Sequence, residues 1–371
     1  MPELARTVRV SVELSRGEGR IQGFVHDPVW GRQPYDGWLQ LAAVLDRARS
    51  ASDAPGQAGR PAQVLAIDGG GMRGLIPALI LAELELRTGR GCAALFDLFA
   101  GTGTGGIVAL ALTTLRLDSG TPWRAVDLVD FFERHGPTIF PPRPPDPPPA
   151  AAPGTPGPLN SALTTFFTEQ TIASAVKPVI VTTFDLSCHE PLILSSRRAA
   201  EDLSWDLPVC LAACATSATP TMFVPLGIRL GHDAQDRLLA DGALYANNPA
   251  MCAYSEAQQA FPDAPVRLLS LGTGHAAPAA AWHDVHEWSP AQWARPLFAI
   301  AVDGASRDVH AHLGSALDPG SYWRLQLPLT NASPHFDDAS ATNLAYLHEH
   351  GQRVIKHFDR ELDAVSCVLT A

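Results

Sequence analysis

The stretch 64-VLAIDGGGMRG-74, running straight into LIPALILAELELRT (75–88), decides how the rest of the chain is read. VLAI (64–67) is a short unbroken apolar run, the pattern of a strand buried on both faces. The glycines that follow end it in a turn, and from about Gly74 to Thr88 apolar residues recur at helical spacing. Strand, glycine turn and helix make half of a βαβ unit. In Asp68-Gly69-Gly70-Gly71-Met72-Arg73-Gly74 consecutive glycines let successive backbone N–H groups point into one concavity, and the helix start adds positive potential. Such a nest holds an anion. Gly69-x-Gly71-x-x-Gly74 fits a phosphate or dinucleotide loop, and the same geometry fits an oxyanion hole for acyl transfer. A dinucleotide fold wants an acidic residue about 20 positions on, at the end of a second strand. Residues Gly89–Ala94 offer none.

Working outward, LFDLFA (95–100) reads as a second buried strand. It leads into Gly101-Thr102-Gly103-Thr104-Gly105-Gly106 and another apolar helix. That is the place of a nucleophile elbow, G-x-Ser-x-G, but its middle residue is Gly103 and carries no hydroxyl. Further apolar runs are PVIVTTFD (178–185), LLADG (238–242) and VRLLSLG (266–272), with helical patterns between them. Alternating strands and helices predict an α/β domain with a mainly parallel central sheet. Asp241 closes one of these strands among small neighbours, before Asn247-Asn248-Pro249, and an aspartate so placed can act as a general base.

Taken together, DGGGMRG (68–74), the glycine elbow and ADGALYANNPA (240–250) resemble the patatin-like phospholipase family. CATSATPTMF (214–223) matches the family's A-T-S-A-A-P-x-x-F segment, and LLSLGTG (268–274) its S-L-G-T-G. Five strings in the family's order cover about 61–360. The resemblance implies a three-layer fold and an acyl-transfer site built on a Ser–Asp dyad without a catalytic histidine. Asp241 matches the base. Gly69, Gly70 and Gly71, with Met72, Arg73 and Gly74 completing the string, match the oxyanion hole, and Gly101, Thr102, Thr104 and Gly105 the elbow. Gly103 stands where the serine belongs. With no nucleophile there, no acyl-enzyme forms at that position, and the chain is expected to be dead or nearly dead as a lipid acyl hydrolase. Thr104 is no substitute, because the family carries it beside its serine. The implied substrate is a membrane glycerolipid ester, and bacterial relatives also act as membrane-degrading effectors in antiphage signalling. A pseudoenzyme that binds lipid or a partner protein without turnover is the competing reading, and a nucleotide-binding regulator a third.

Outside the resemblance, VRVSVEL (8–14) and IQGFVH (21–26) alternate as a hairpin, and 38–49 has helical spacing, so residues 1–60 read as a small ββα extension with its linker. It is a candidate docking module for a partner protein or a small-molecule activator. The main domain spans 61–371. Ten prolines between Pro141 and Pro158 mark an inserted loop that cannot hold a helix or a ladder. Net charge is −11, which argues against nucleic-acid phosphates as partners. No secretory signal, spanning helix, metal motif or cofactor motif is expected. The six cysteines read as buried thiols of a cytoplasmic protein, with peripheral contact at the inner face of the membrane.

Overall fold

The computed structural model describes residues 11–16, 21–27, 31–36, 60–141, 157–167, 169–220, 222–231, 235–275, 285–286 and 288–371. Two sheets are present. The first is antiparallel, β1 (Ser11–Arg16), β2 (Ile21–Asp27) and β3 (Gly31–Asp36), in that order. The expected hairpin is therefore there, but a third strand joins it. GRQPYD has neither alternation nor β-branched residues, and Pro34, which donates no ladder bond, hides it further. The helix expected over 38–49 lies outside the described residues. So does most of the proline-rich insertion, residues 142–156, whose last proline, Pro158, opens the helix Pro158–Phe167.

The second sheet has eight strands: β4 (Ala62–Ile67), β5 (Leu98–Gly101), β6 (Val179–Asp185), β7 (Glu190–Ser195), β8 (Leu226–Leu230), β9 (Gln235–Asp241), β10 (Val266–Leu271) and β11 (Tyr322–Leu325). β11, β10, β4, β5 and β6 run parallel in that spatial order, while β7, β8 and β9 pair antiparallel. Within the apolar run 95–100 only Leu98 onward is strand, because Cys92–Leu95 forms one helical turn first. Periodicity alone does not separate two short apolar elements.

Helices cover both faces. Along β4 the side chains alternate. Leu65 and Ile67 join the larger core with the helices Leu75–Thr88, Thr104–Thr113 and Ala125–Ile139. Val64 and Ala66 face the helix Ala250–Ala260 and Leu313 of the long helix Pro290–Ala316. The result is the three-layer α/β arrangement with a mostly parallel sheet. Among the described residues no helix is long and apolar enough to cross a membrane.

Strand β6 positions the site. On one edge it pairs with β7 over Ile180–Asp185. Its other edge must then take both remaining neighbours. β5 occupies the first half, ending with Gly101 opposite Val181, and β9 the second, ending with Asp241 opposite Thr183. β5 runs parallel to β6 and β9 antiparallel, so their C-terminal ends meet head to head across Thr182. Whatever leaves the sheet after Gly101 must face whatever ends β9.

Candidate active site

Gly103 is what leaves the sheet after Gly101. Its backbone, φ 55° and ψ −124°, is a conformation that costs a residue with a side chain about 1–3 kcal/mol. The turn is held from three sides. The Gly103 amide donates to Thr216 Oγ1 at 3.0 Å, and Thr216 donates to the Thr182 carbonyl at 2.7 Å. Thr102 Oγ1 donates to the Ala246 carbonyl at 2.6 Å and meets Thr182 Oγ1 at 2.6 Å. Gly105 packs against the Ile67 carbonyl and Gly101 against the Gly105 carbonyl, contacts that admit no side chain. Thr104 opens the helix, its buried hydroxyl without a partner.

Asp241 faces this turn. A Cβ at Gly103 would stand 3.4 Å from Asp241 Oδ2 and 3.6 Å from Oδ1, with Gly69 Cα next at 3.7 Å. These are ordinary contact distances, so the position has room for a side chain. Asp241 Oδ1 accepts the Ala243 amide at 2.9 Å, and Oδ2 accepts the Thr219 hydroxyl at 2.6 Å. Burial pushes its carboxyl up to about 6, against the lowering effect of those two donors. Thr219 was not singled out in the sequence, although within 215–223 it is the one residue that departs from the family's A-T-S-A-A-P-x-x-F, standing where that pattern has alanine.

The glycine nest is narrower than expected. Of the six residues 69–74, three give their amides to backbone carbonyls. Gly69 donates to the Asn247 carbonyl at 3.1 Å, Met72 to the Phe336 carbonyl at 2.8 Å, and Arg73 to the Gly70 carbonyl at 3.1 Å. Gly74 is closed over by Phe132 and Thr104. The amides of Gly70 and Gly71 have no acceptor among the described residues. Gly71 adopts φ 56°, and a Cβ there would lie 2.1 Å from the Phe336 carbonyl oxygen. Arg73 is buried away from the cleft with its guanidinium 4.3 Å from the Phe336 ring centre, so it braces the segment that takes up the Met72 amide. Phe336, like Thr219, is a contributor that sequence reasoning missed, since it is distant in the chain and has no motif. Asp68, the first residue of the string, pairs with Arg324 of β11 through Nη1 at 2.7 Å. It anchors the loop and does not touch the cleft.

Gly70, Gly71, Gly103 and Asp241 line one cleft, together with Thr219 and Asn247. Apart from Thr104 and Ser217, the rest of its wall is apolar, with Met72, Ile107, Phe131, Phe223, Phe298 and Phe336 among it. Among the described residues no Lys or Arg lines it. A phosphate would meet the Asp241 carboxylate with no cation to offset it, which disfavours the nucleotide reading. An ester with an acyl chain suits the wall. Among the described residues no cluster of metal ligands is found. The buried-thiol expectation holds for Cys92, Cys210 and Cys214, whereas Cys188 and Cys367 are exposed.

Comparison with known proteins follows this geometry. The family model "Patatin-like phospholipase" matches residues 65–254. The chain is 30% identical over 329 residues to "Probable inactive patatin-3-Kuras 1" of Solanum tuberosum, covering 80% of this chain and 87% of that one. It is 28% identical over 336 residues to "Patatin-T5" of the same species, covering 80% and 84%. To "Patatin-like protein 1" of Arabidopsis thaliana it is 30% identical over 308 residues, covering 72% and 73%.

Proposed function

From the premise that this chain belongs to the patatin-like phospholipase family, we propose that it is a lipid acyl hydrolase whose dyad has lost its serine. Gly103 occupies the nucleophile position, Asp241 is the general base, and the amides of Gly70 and Gly71 form the oxyanion hole. The observation that carries this reading is the open socket at Gly103. A Cβ there meets nothing closer than 3.4 Å, and the atom it meets is an oxygen of Asp241. Most glycines around it are packed so tightly that a Cβ would overlap a neighbour. A serine hydroxyl leaving this turn would reach the carboxylate that must take its proton. The substrate class is a membrane glycerolipid ester, supported by the apolar wall of the cleft. As it stands, the chain cannot form an acyl-enzyme at residue 103 and is dead or nearly dead by that route. One relative's own name, a probable inactive patatin, is in keeping with such a loss.

Gly103→Ser tests this. On this reading the added hydroxyl is the one missing part, so ester hydrolysis should rise by several orders of magnitude, roughly the 10³–10⁶ that a nucleophile and its base are worth in comparable hydrolases. Adding Asp241→Ala should abolish the gain. A fluorogenic acyl ester and a labelled phospholipid report both. If the folded revertant gains nothing on either substrate, lipid binding without turnover becomes the better account.

A further inference from the structure

We propose that Thr219 is itself a nucleophile, and that whatever ester hydrolysis this chain retains runs through its hydroxyl, which sits 2.6 Å from Asp241 Oδ2. The inference rests on Asp241 being the general base and supplies the group on which that base acts in the absence of a serine.

The backbone builds the pair. The Asp241 amide donates to the Ala218 carbonyl at 3.0 Å, which brings the residue after Ala218 against the end of β9. Among the described residues, the one other acceptor near the Thr219 hydroxyl, the Ser217 carbonyl, is 3.4 Å away. The shorter contact, to a carboxylate, takes the proton. This is the arrangement that an acyl-transfer dyad requires: a hydroxyl within hydrogen-bond reach of a base. It is also the same oxygen that a side chain at residue 103 would approach, so positions 103 and 219 flank one acceptor. Thr219 is half-buried and lines the cleft that also contains the free amides of Gly70 and Gly71. An ester that reaches the hydroxyl is therefore in the cavity that holds the two donors for its oxyanion. The Asp241 carboxyl, raised by burial, is basic enough to accept a proton and acidic enough to return it.

The steps balance. Asp241 takes the proton from Thr219 Oγ1 as that oxygen bonds to the ester carbonyl carbon. The tetrahedral intermediate expels the alcohol, whose oxygen takes the proton back from Asp241, leaving an acyl ester on Thr219. A water molecule, deprotonated by Asp241, then attacks the acyl carbon. The Thr219 oxygen leaves with the proton, and a fatty acid is released.

The test uses the full chain with Gly103 in place. A fluorophosphonate probe, which phosphonylates activated hydroxyls, is incubated with it and the modified peptide is located by mass spectrometry. Hydrolysis of a short fluorogenic acyl ester is followed in parallel. The expected results are an adduct on Thr219 and a slow hydrolysis that Thr219→Val removes, Thr219→Ser retains, and Asp241→Asn lowers by roughly 100-fold or more. Unchanged hydrolysis in a folded Thr219→Val overturns the proposal. So does an adduct on any other residue, or a parent chain that neither hydrolyses nor labels. If Thr219→Val does not fold, the position of the adduct in the parent decides. The two readings also separate. A large gain from Gly103→Ser with no adduct on Thr219 keeps the lost-serine reading and sinks this one. An adduct on Thr219 with no gain from Gly103→Ser does the reverse.

Discussion

Burying the Asp241 carboxyl carries a stability cost. The group titrates at about 6 in the fold against an ordinary 3.8, because burial disfavours the charged form. Below the ordinary value both folded and unfolded chains hold the proton, and the stability this group contributes is fully present. Between the two values the unfolded chain ionises first, so stability falls as pH rises. Above about 6 the loss is complete, on the order of 3 kcal/mol for a shift of this size. Asparagine at 241 has no such loss. Asp241→Asn should therefore melt at a higher temperature than the parent, with a gap that is small near about pH 4 and wider by about pH 7.5. Thermal melts of both proteins at the two pH values check this. A gap that is constant, or that narrows with rising pH, would contradict the burial account. Asp241 was legible in the sequence, as a carboxylate closing a strand among small residues. Its partner Thr219 shows in the sequence only as a departure from the family's alanine, and its contact with Asp241 arises in the fold, where Ala218 accepts the Asp241 amide.

At the scale of elements, two glycines with nearly the same backbone have different consequences. Gly89 ends the helix Leu75–Thr88 at φ 65° in open space, whereas Gly71, at φ 56°, abuts the backbone of Phe336. Gly89→Ala should cost only the intrinsic strain of a left-handed residue, about 1–2 kcal/mol. Gly71→Ala must in addition displace the Phe336 carbonyl, and with it the Met72 amide it accepts. It should destabilise the fold clearly more than Gly89→Ala in urea unfolding. Combined with Gly103→Ser, it should erase most of the revertant's activity, because the Gly70 and Gly71 amides move. The element reading from sequence succeeded where strands are central. β4, β6 and β10 are almost wholly buried apolar runs and β9 ends in buried residues at 239–241, and their positions were legible within a few residues. β7, β8 and β11 were not expected. Each is a sheet edge, with partly exposed and polar positions such as those in EPLILS and LGIRL, so the apolar signal is diluted.

For the whole molecule, we propose a division at about residue 60, which sheet membership supports. β1, β2 and β3 pair only among themselves, and every strand of the larger sheet comes from Ala62 onward. Among the described residues, β3 of the extension lies against the short helix Ser196–Glu201 of the main domain. A chain beginning at residue 60 should then fold with a single cooperative transition. In the Gly103→Ser background it should retain ester hydrolysis on a soluble substrate. Loss of cooperative melting on truncation would show that the extension is part of the core and would undo the division. Retained folding with altered activity on lipid vesicles alone would assign the extension to partner or surface engagement.

The head-to-head meeting of β5 and β9 along β6 makes the strand a caliper. Its two jaws close on a single residue, Thr182, and the gap between them is written in peptide units, not in side chains. Ordinary substitution can change what each jaw carries without moving the jaws apart. The loops that feed β5 and β9 can lengthen or drift without altering the gap either. Only a residue gained or lost inside β6 resets the instrument, by about 3.3 Å, and it turns the following side chains to the opposite face as it does so. A lineage of such chains can therefore lose, regain or relocate its reactive group many times over, while the count of residues along this one strand holds still.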